Sequence, residues 1–420
     1  MSQKVFIGMA GFGTVGQGVY RVLERNAAII ERRCGKSPKI KTIVCRNTDR
    51  VRKLLPNHIV VSKDLMTIAQ DPDISIVIEV MGGIEPARTF ILEALRNGKD
   101  VVTANKALLA SHGEEIFEAA RYHGRSVFFE AAVAGGIPII KAIREGLSAN
   151  KILKVQGILN GTCNYILSSM HQSPVSFAEA LSTAQKLGFA EADPTFDIEG
   201  LDTAHKLTIL TSLAFGVALN FEPKLVSGIT SVTADDIAII KKLGFVIKLL
   251  AESELNGSTI HYRVAPTLIK NSSLLAMVSG AMNAVEVESD AVGKTFYYGA
   301  GAGGDATASA VLADVIDSLK GLSSQFISES SKDVLPFSPL SKQMSRFYVR
   351  LHSKTIQQYS RQIEDVFIKN EILADKVYTD EQNCVFFTHQ CQKGALDEAL
   401  EQISELNLEK ITLSLFPIAD

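Results

Sequence analysis

The sequence predicts an α/β protein in three parts: a parallel sheet covered on both faces, a mixed α+β segment, and a small βαββαβ unit. Three observations carry this reading. Apolar runs alternate with amphipathic segments over residues 1–130, the pattern of a parallel sheet with helices on either side. That alternation breaks near residue 150. After a stretch of low periodicity at 323–345, a fresh series of strand and helix patterns fills residues 346–420.

Apolar runs at 5–10, 40–45, 59–61, 75–80, 100–102 and 126–129 read as strands, and 86–97 and 114–122 as amphipathic helices between them. Beyond 150, residues 152–159 read as a strand and 161–170 as a helix. A polar loop covers 188–200, and 201–215 form a strong helix. Segments 259–266 and 284–289 look like antiparallel strands. A second glycine-rich loop at 299–304 precedes a helix at 307–320 that could return to pack on the first domain. The Ser, Pro, Lys and Asp content of 323–345 marks a linker. The tail then runs strand 346–351, helix 359–370, strands 376–378 and 384–389, helix 394–406 and strand 410–415, which is the ferredoxin-like order. The expected domains are therefore 1–148 with a returning helix at about 303–322, then 149–302, the linker 323–345, and 346–420.

Composition narrows the function classes. The chain has 420 residues, 46% hydrophobic, with a net charge of −3. No basic excess exists to neutralise nucleic-acid phosphates. No apolar run reaches the roughly 20 residues of a membrane-spanning helix, and no secretory leader is read at the start. The five cysteines, at 34, 45, 163, 384 and 391, are odd in number and scattered. They suit reduced thiols in the cytoplasm rather than a disulfide framework or zinc site.

Gly11, Gly13 and Gly16 form a G-x-G-x-x-G turn between the first strand and a helix with apolar residues at helical spacing. This is the Rossmann-type context for a dinucleotide, with the pyrophosphate on the helix N-terminus. A glycine turn without ligand is the alternative. The second strand ends Val44-Cys45-Arg46-Asn47, without the acid that usually meets the ribose of NAD. Arg46, assisted by Lys53, could hold a 2′-phosphate. The expected cofactor is NADP, with NAD tolerated, unless Arg46 is a solvated surface residue. Residues 80–83 and Thr103-Ala-Asn-Lys106 lie at strand ends, where the ligand is expected.

The loop 188–206 carries Glu191, Asp193, Asp197, Glu199 and Asp202, then Lys206. With a helix starting near Gly200, Asp202 and Lys206 share one face. They could be an acidic first turn with a surface ion pair. They could also be a pocket for an ammonium-bearing substrate, with a lysine that moves a proton at a reacting oxygen.

These motifs together resemble homoserine dehydrogenase over roughly residues 4–320. They comprise Gly11 to Gly16, Thr103-Ala-Asn-Lys-Ala-Leu108, Glu130-Ala-Ala-Val-Ala-Gly-Gly-Ile-Pro138, Leu159-Asn-Gly-Thr-Cys-Asn-Tyr-Ile-Leu167, Glu191-Ala-Asp-Pro194, Gly200-Leu-Asp-Thr-Ala-His-Lys-Leu207 and Tyr298-Gly-Ala-Gly-Ala-Gly303. The resemblance implies interconversion of L-homoserine and L-aspartate 4-semialdehyde by a monofunctional enzyme of threonine, isoleucine and methionine biosynthesis. It implies Lys206, Lys106 and Asp202 as catalytic, and Glu191, Thr162 and Asp197 as substrate-facing. Gly11, Phe12, Gly13, Thr14, Val15, Gly16, Arg46, Thr103, Lys106 and Gly303 are expected around the cofactor. Glu130, Val133, Gly135 and Ile137 match a monovalent-cation site, so a structural sodium ion is expected, mostly on backbone carbonyls. A small-molecule substrate and a homodimer or homotetramer are the expected partners, with no nucleic acid and no membrane.

Some positions depart from the family pattern. Cys163 stands where relatives often carry Thr or Phe. It is read as a small core residue, with a nucleophile of the aspartate-semialdehyde dehydrogenase kind as the alternative. Ala300 and Ala306 replace prolines. The tail resembles an ACT module, but its first loop, His352-Ser-Lys-Thr-Ile-Gln, lacks the usual Asp-x-Pro-Gly turn. Two other readings stay open: a saccharopine-type or aspartate-semialdehyde dehydrogenase, and a nucleotide-binding amino-acid sensor without activity.

Overall fold

A computed structural model describes residues 2–219, 221–323, 335–406 and 411–419. The chain divides into two compact units, each discontinuous in sequence. The first contains 1–155, 205–221 and 284–334, and the second 156–204, 222–283 and 335–420.

In the first unit, β1 (Gln3–Ala10), β2 (Lys36–Val44), β3 (Val60–Ser62), β4 (Ile74–Glu79), β5 (Asp100–Thr103) and β6 (Val127–Phe128) make one parallel sheet in the order β3-β2-β1-β4-β5-β6. Successive residues of β4 and β5 are buried, because helices cover both faces. The order reverses beside β1, and a doubly wound sheet opens its ligand crevice at such a point. Helix α1 (Thr14–Arg25) follows β1 and buries Val19, Val22 and Leu23. Helix α2 (Lys106–Tyr122) begins earlier than residue 114, the expected start. Its backbone is non-helical at His112, with φ −135°, so two short helices read as one loop and one helix.

Strand β7 (Ile152–Ile158) leads the chain into the second unit, where α3 (Gly161–Gln172) follows, and the helix α4 (Leu201–Phe215) begins in that unit and passes into the first at His205. The bounds of α4 match the sequence expectation. Helix α5 (Ala234–Lys242) precedes β8 (Phe245–Asn256) and β9 (Thr259–Lys270), an antiparallel hairpin. Its two-residue turn has Gly257 at φ +60°, a conformation that favours glycine. The chain re-enters the first unit at Ala284, early in β10 (Met282–Ser289), and continues through β11 (Gly293–Ala300) to α6 (Gly304–Leu319). Its Val311 and Val315 share the sheet core with Ile7, Met9, Ile43 and Ile78. A Cβ on Gly18 of α1 would stand 2.2 Å from Gly304 O, so only glycine permits this approach of α1 and α6.

The tail comprises β12 (Met344–His352), α7 (Ile356–Lys369), β13 (Ala374–Thr379), β14 (Asn383–Thr388), the short β15 (Cys391–Gln392), α8 (Lys393–Ser404) and β16 (Thr412–Ile418). Met344 and Ser345 already belong to β12, residues 324–334 of the expected linker lie outside the described residues, and so does Lys410 of the expected last strand. The strand order β9-β16-β12-β14-β13 makes a mixed sheet, since β16 meets β9 in parallel at Leu268 while the other tail pairs are antiparallel. Phe347, Val349 and Leu351 of β12 pack with Ile363, Phe367 and Leu396 of the two helices. Alternate residues of a strand face opposite ways. Tyr348 and Arg350 accordingly meet Asp236 of α5, with Arg350 Nε 2.6 Å from Asp236 Oδ1.

Candidate active site

Close backbone approach accounts for two of the three glycines between β1 and α1. Gly11 has φ +106°, and a Cβ there would lie 2.5 Å from Val80 O. A Cβ on Gly16 would lie 2.3 Å from Gly11 O. At Gly13 a Cβ would meet nothing within 4 Å, so its missing side chain serves no contact within the protein. It leaves backbone open at the N-terminus of a three-turn helix, where an anion is favoured. These residues therefore fit a pyrophosphate. Phe12 is buried, Thr14 exposed and Val15 half-buried. Arg46 is exposed just beyond β2. Gly303 caps α6 at φ +130°.

The carboxyl ends of β4 and β5 are joined by a buried network that the sequence reading missed. Glu79 is fully buried. It accepts from Thr103 Oγ1 at 2.7 Å and from the backbone of Met81 and Gly82 at 2.8 and 3.3 Å. Burial pushes its carboxyl up, and these hydrogen bonds pull against that. Asn105 donates to Gly83 O at 2.7 Å and accepts from Leu108 N at 3.2 Å, capping α2. The loop 80–83 is thus held from below, and the half-buried Lys106 opens α2 beside it. The only local signal for Glu79 was an acid ending an apolar run.

In the second unit the acidic loop is gathered onto the first turn of α3. Asn160 Nδ2 donates to Asp197 Oδ1 at 2.7 Å and to Asp202 Oδ2 at 2.8 Å. Thr162 Oγ1 donates to Phe189 O at 2.7 Å. Asp202 is buried, Asp197 half-buried and Glu191 exposed. Asp202, on the first turn of α4, precedes the half-buried Lys206 by one turn. The His205 ring lies edge-on to that of Phe221, with centroids 4.8 Å apart. Cys163 is wholly buried and donates from Sγ to Asp197 O at 3.2 Å, as the core reading expects.

Glu130, Val133, Gly135 and Ile137 form a buried turn after β6. Both Glu130 carboxylate oxygens accept backbone N–H groups, from Ile140 and Lys141, each at 2.9 Å. Ala134 and Gly135 have positive φ in succession. A cation here could take main-chain carbonyls rather than the carboxylate. Among the described residues no group of three or more His, Cys, Asp or Glu side chains could hold a metal ion.

The comparisons with known proteins agree along the chain. The family model described as "Homoserine dehydrogenase, NAD binding domain" matches residues 11–130, and "Homoserine dehydrogenase" matches 138–316. A homoserine dehydrogenase of Pseudomonas aeruginosa is 42% identical over 420 residues, covering 96% of each chain. The crystal structure of a homoserine dehydrogenase from Thiobacillus denitrificans superposes with a TM-score of 0.94 at 40% identity, covering 100% of both chains. A hyperthermophilic archaeal homoserine dehydrogenase in complex with NADPH superposes with a TM-score of 0.62 at 26% identity, over 75% of this chain and 97% of that one. With the family matched along both the nucleotide-binding and the following stretches, and close relatives aligned nearly end to end, the chain belongs to the homoserine dehydrogenases and is an oxidoreductase of that activity.

Proposed function

We propose that the chain interconverts L-homoserine and L-aspartate 4-semialdehyde with NADP as its preferred cofactor, NAD being tolerated, on the route to threonine, isoleucine and methionine. The nicotinamide supplies the hydride chemistry when bound. Gly11, Gly13 and Gly16 bring the backbone near the pyrophosphate, with Phe12, Thr14, Val15, Thr103, Lys106 and Gly303 around the cofactor. Arg46 meets the 2′-phosphate. The exposed guanidinium beyond β2 and the NADPH complex of the archaeal relative support this preference.

Glu191 and Asp202 receive the substrate's ammonium group, with Thr162 and Asp197 shaping the loop around it. Lys206 gives or takes the proton at the alcohol oxygen, and Lys106 brings a second cation to the reacting centre. The observation that carries these roles is the placement of Asp202 and Lys206 one turn apart on α4, with Asp202 tied to Asp197 through Asn160. Replacing Lys206 by Ala tests it. Turnover should fall by about 10²–10⁴-fold, the usual contribution of an acid–base group, while NADPH binding by fluorescence stays near wild type. A variant with near wild-type kcat would return Lys206 to an ordinary helix face.

Three finer readings accompany this. The βαββαβ tail is an ACT-like module whose βα connection, without Asp-x-Pro-Gly, cannot clasp an amino-acid carboxylate in the usual way. Millimolar threonine should therefore inhibit weakly or not at all. Glu130, Val133, Gly135 and Ile137 would hold a sodium ion in a structural role, mostly through main-chain carbonyls. The enzyme works as a cytoplasmic homodimer or homotetramer. All five cysteines are free thiols, which suits a reducing compartment. No helix among the described residues is long and apolar enough to cross a membrane.

A further inference from the structure

Asn160 stands just ahead of α3 and uses each polar group of its side chain. Its Oδ1 accepts from Cys163 N at 2.8 Å and caps the helix. Its two amide hydrogens go to two carboxylates, Asp197 at 2.7 Å and Asp202 at 2.8 Å. Capping needs only an acceptor, and Asp or Ser serves it about as well as Asn. The cap therefore does not explain the two donated bonds. Two carboxylates gathered at one point repel each other. A neutral group with two donors offsets that repulsion and fixes the direction of each acid. Cys163 Sγ on Asp197 O and Thr162 Oγ1 on Phe189 O pin the same loop to the same helical turn.

We propose that Asn160 is a positioning residue of the reaction: its amide orients Asp202 and Asp197 so that Asp202 can take the substrate's ammonium group. This rests on the reading of Asp202 as substrate-facing. The Asn160 amide acts through the two carboxylates it donates to. Its influence should thus fall on homoserine and spare the cofactor.

The test uses the full chain with Asn160→Asp, Asn160→Ser and Asn160→Gln, and with Asp202→Asn measured alongside. Asp and Ser preserve the cap. Asp donates nothing and adds a third carboxylate, and Ser cannot reach both acids. For both, kcat/KM for homoserine is expected to fall about 10²-fold, the cost of misplacing a reacting group by roughly 1 Å. KM for NADP and the Tm of the Ser variant should stay near wild type. Gln keeps both donors on a longer arm and should recover part of the loss seen with Ser. If Asn160→Asp does not fold, the comparison of Ser with Gln decides. Wild-type kcat/KM in the capping variants, with Asp202→Asn inactive, would overturn the proposal and leave the site reading standing. Equal losses for Ser and Gln with lowered Tm in both would assign Asn160 to structure and overturn it as well. An active Asp202→Asn would remove the site reading itself, and this proposal with it.

Discussion

Thr103, at the end of β5, donates its hydroxyl to Glu79 Oε2 at the end of β4 across 2.7 Å, and both side chains are wholly inaccessible to solvent. The same hydroxyl accepts from Asn105 N at 3.0 Å. One threonine thereby links the strand under the cofactor turn to the cap of the helix that carries Lys106.

Thr103→Val preserves shape and deletes the donor. A buried acceptor left without its partner costs about 1–3 kcal/mol, and Glu79 would rise further above the usual carboxylate range. Urea unfolding should show that loss, with weaker NADPH binding as the loop 80–83 loosens. Thr103→Ser, which keeps the hydroxyl, should lie close to wild type. Equal stability of Val and Ser variants would mean that the hydrogen bond holds nothing in place.

Arg46→Glu should weaken NADPH far more than NADH. It removes a cation and places a carboxylate where a 2′-phosphate is expected. Charge-assisted hydrogen bonds contribute about 1.5–3 kcal/mol, so a ten- to hundredfold rise in the Kd of NADPH is the expected scale. An equal effect on both cofactors, or none, would leave Arg46 as a solvated side chain.

What could be read from the sequence was whatever local sterics decide. The spacing of Gly11, Gly13 and Gly16 reports a turn whose contacts lie within a few residues or on the neighbouring strand. The helix Leu201–Phe215 shows in its own periodicity. Strand β8 escaped because Lys248 and Glu252 interrupt its apolar run, and both find partners outside the strand, among them Asn164 and Arg263. Asn160 escaped for a related reason. Its capping role has a three-residue signature, whereas its acids lie 37 and 42 residues away. Glu79 and Thr103, 24 residues apart, meet only once the parallel sheet forms.

Lys248 gives a pH-dependent test. Its ammonium is buried in β8 and donates to Val278 O at 2.6 Å, Asn164 Oδ1 at 3.0 Å and Ser168 Oγ at 3.4 Å. Burial pulls its pKa down to about 8 from an ordinary value of 10.5. The folded protein therefore releases this proton before the unfolded chain does. Its cost to stability is present below pH 8 and is relieved as pH rises from 8 towards 10.5. Relative to Lys248→Met, wild type should gain Tm between pH 7.5 and pH 10. A constant difference across that range would mean that the lysine titrates as it does in water.

The tail is held to the rest of its unit by a buried charge pair. Asp236 of α5 is fully buried, and Arg350 Nε lies 2.6 Å from its Oδ1. Ser414 Oγ donates to Oδ2 at 3.0 Å, and Thr233 completes a capping box on the same carboxylate. Removing one member of such a pair leaves the other charge buried, at about 3–5 kcal/mol, whereas replacing both by apolar groups is often far milder. Arg350→Met and Asp236→Leu should each be strongly destabilising in urea, and the double variant should lose less than their sum, short of full recovery because the capping box goes with Asp236. Strict additivity would show that the two side chains are not coupled. A variant ending at Gln343 loses Tyr348, Arg350 and Ser414 together and strips β9 of the strand that meets it at Leu268. It should unfold or aggregate at temperatures where the full chain is stable. A folded, fully active truncated enzyme would show that this module is dispensable to the unit it docks on.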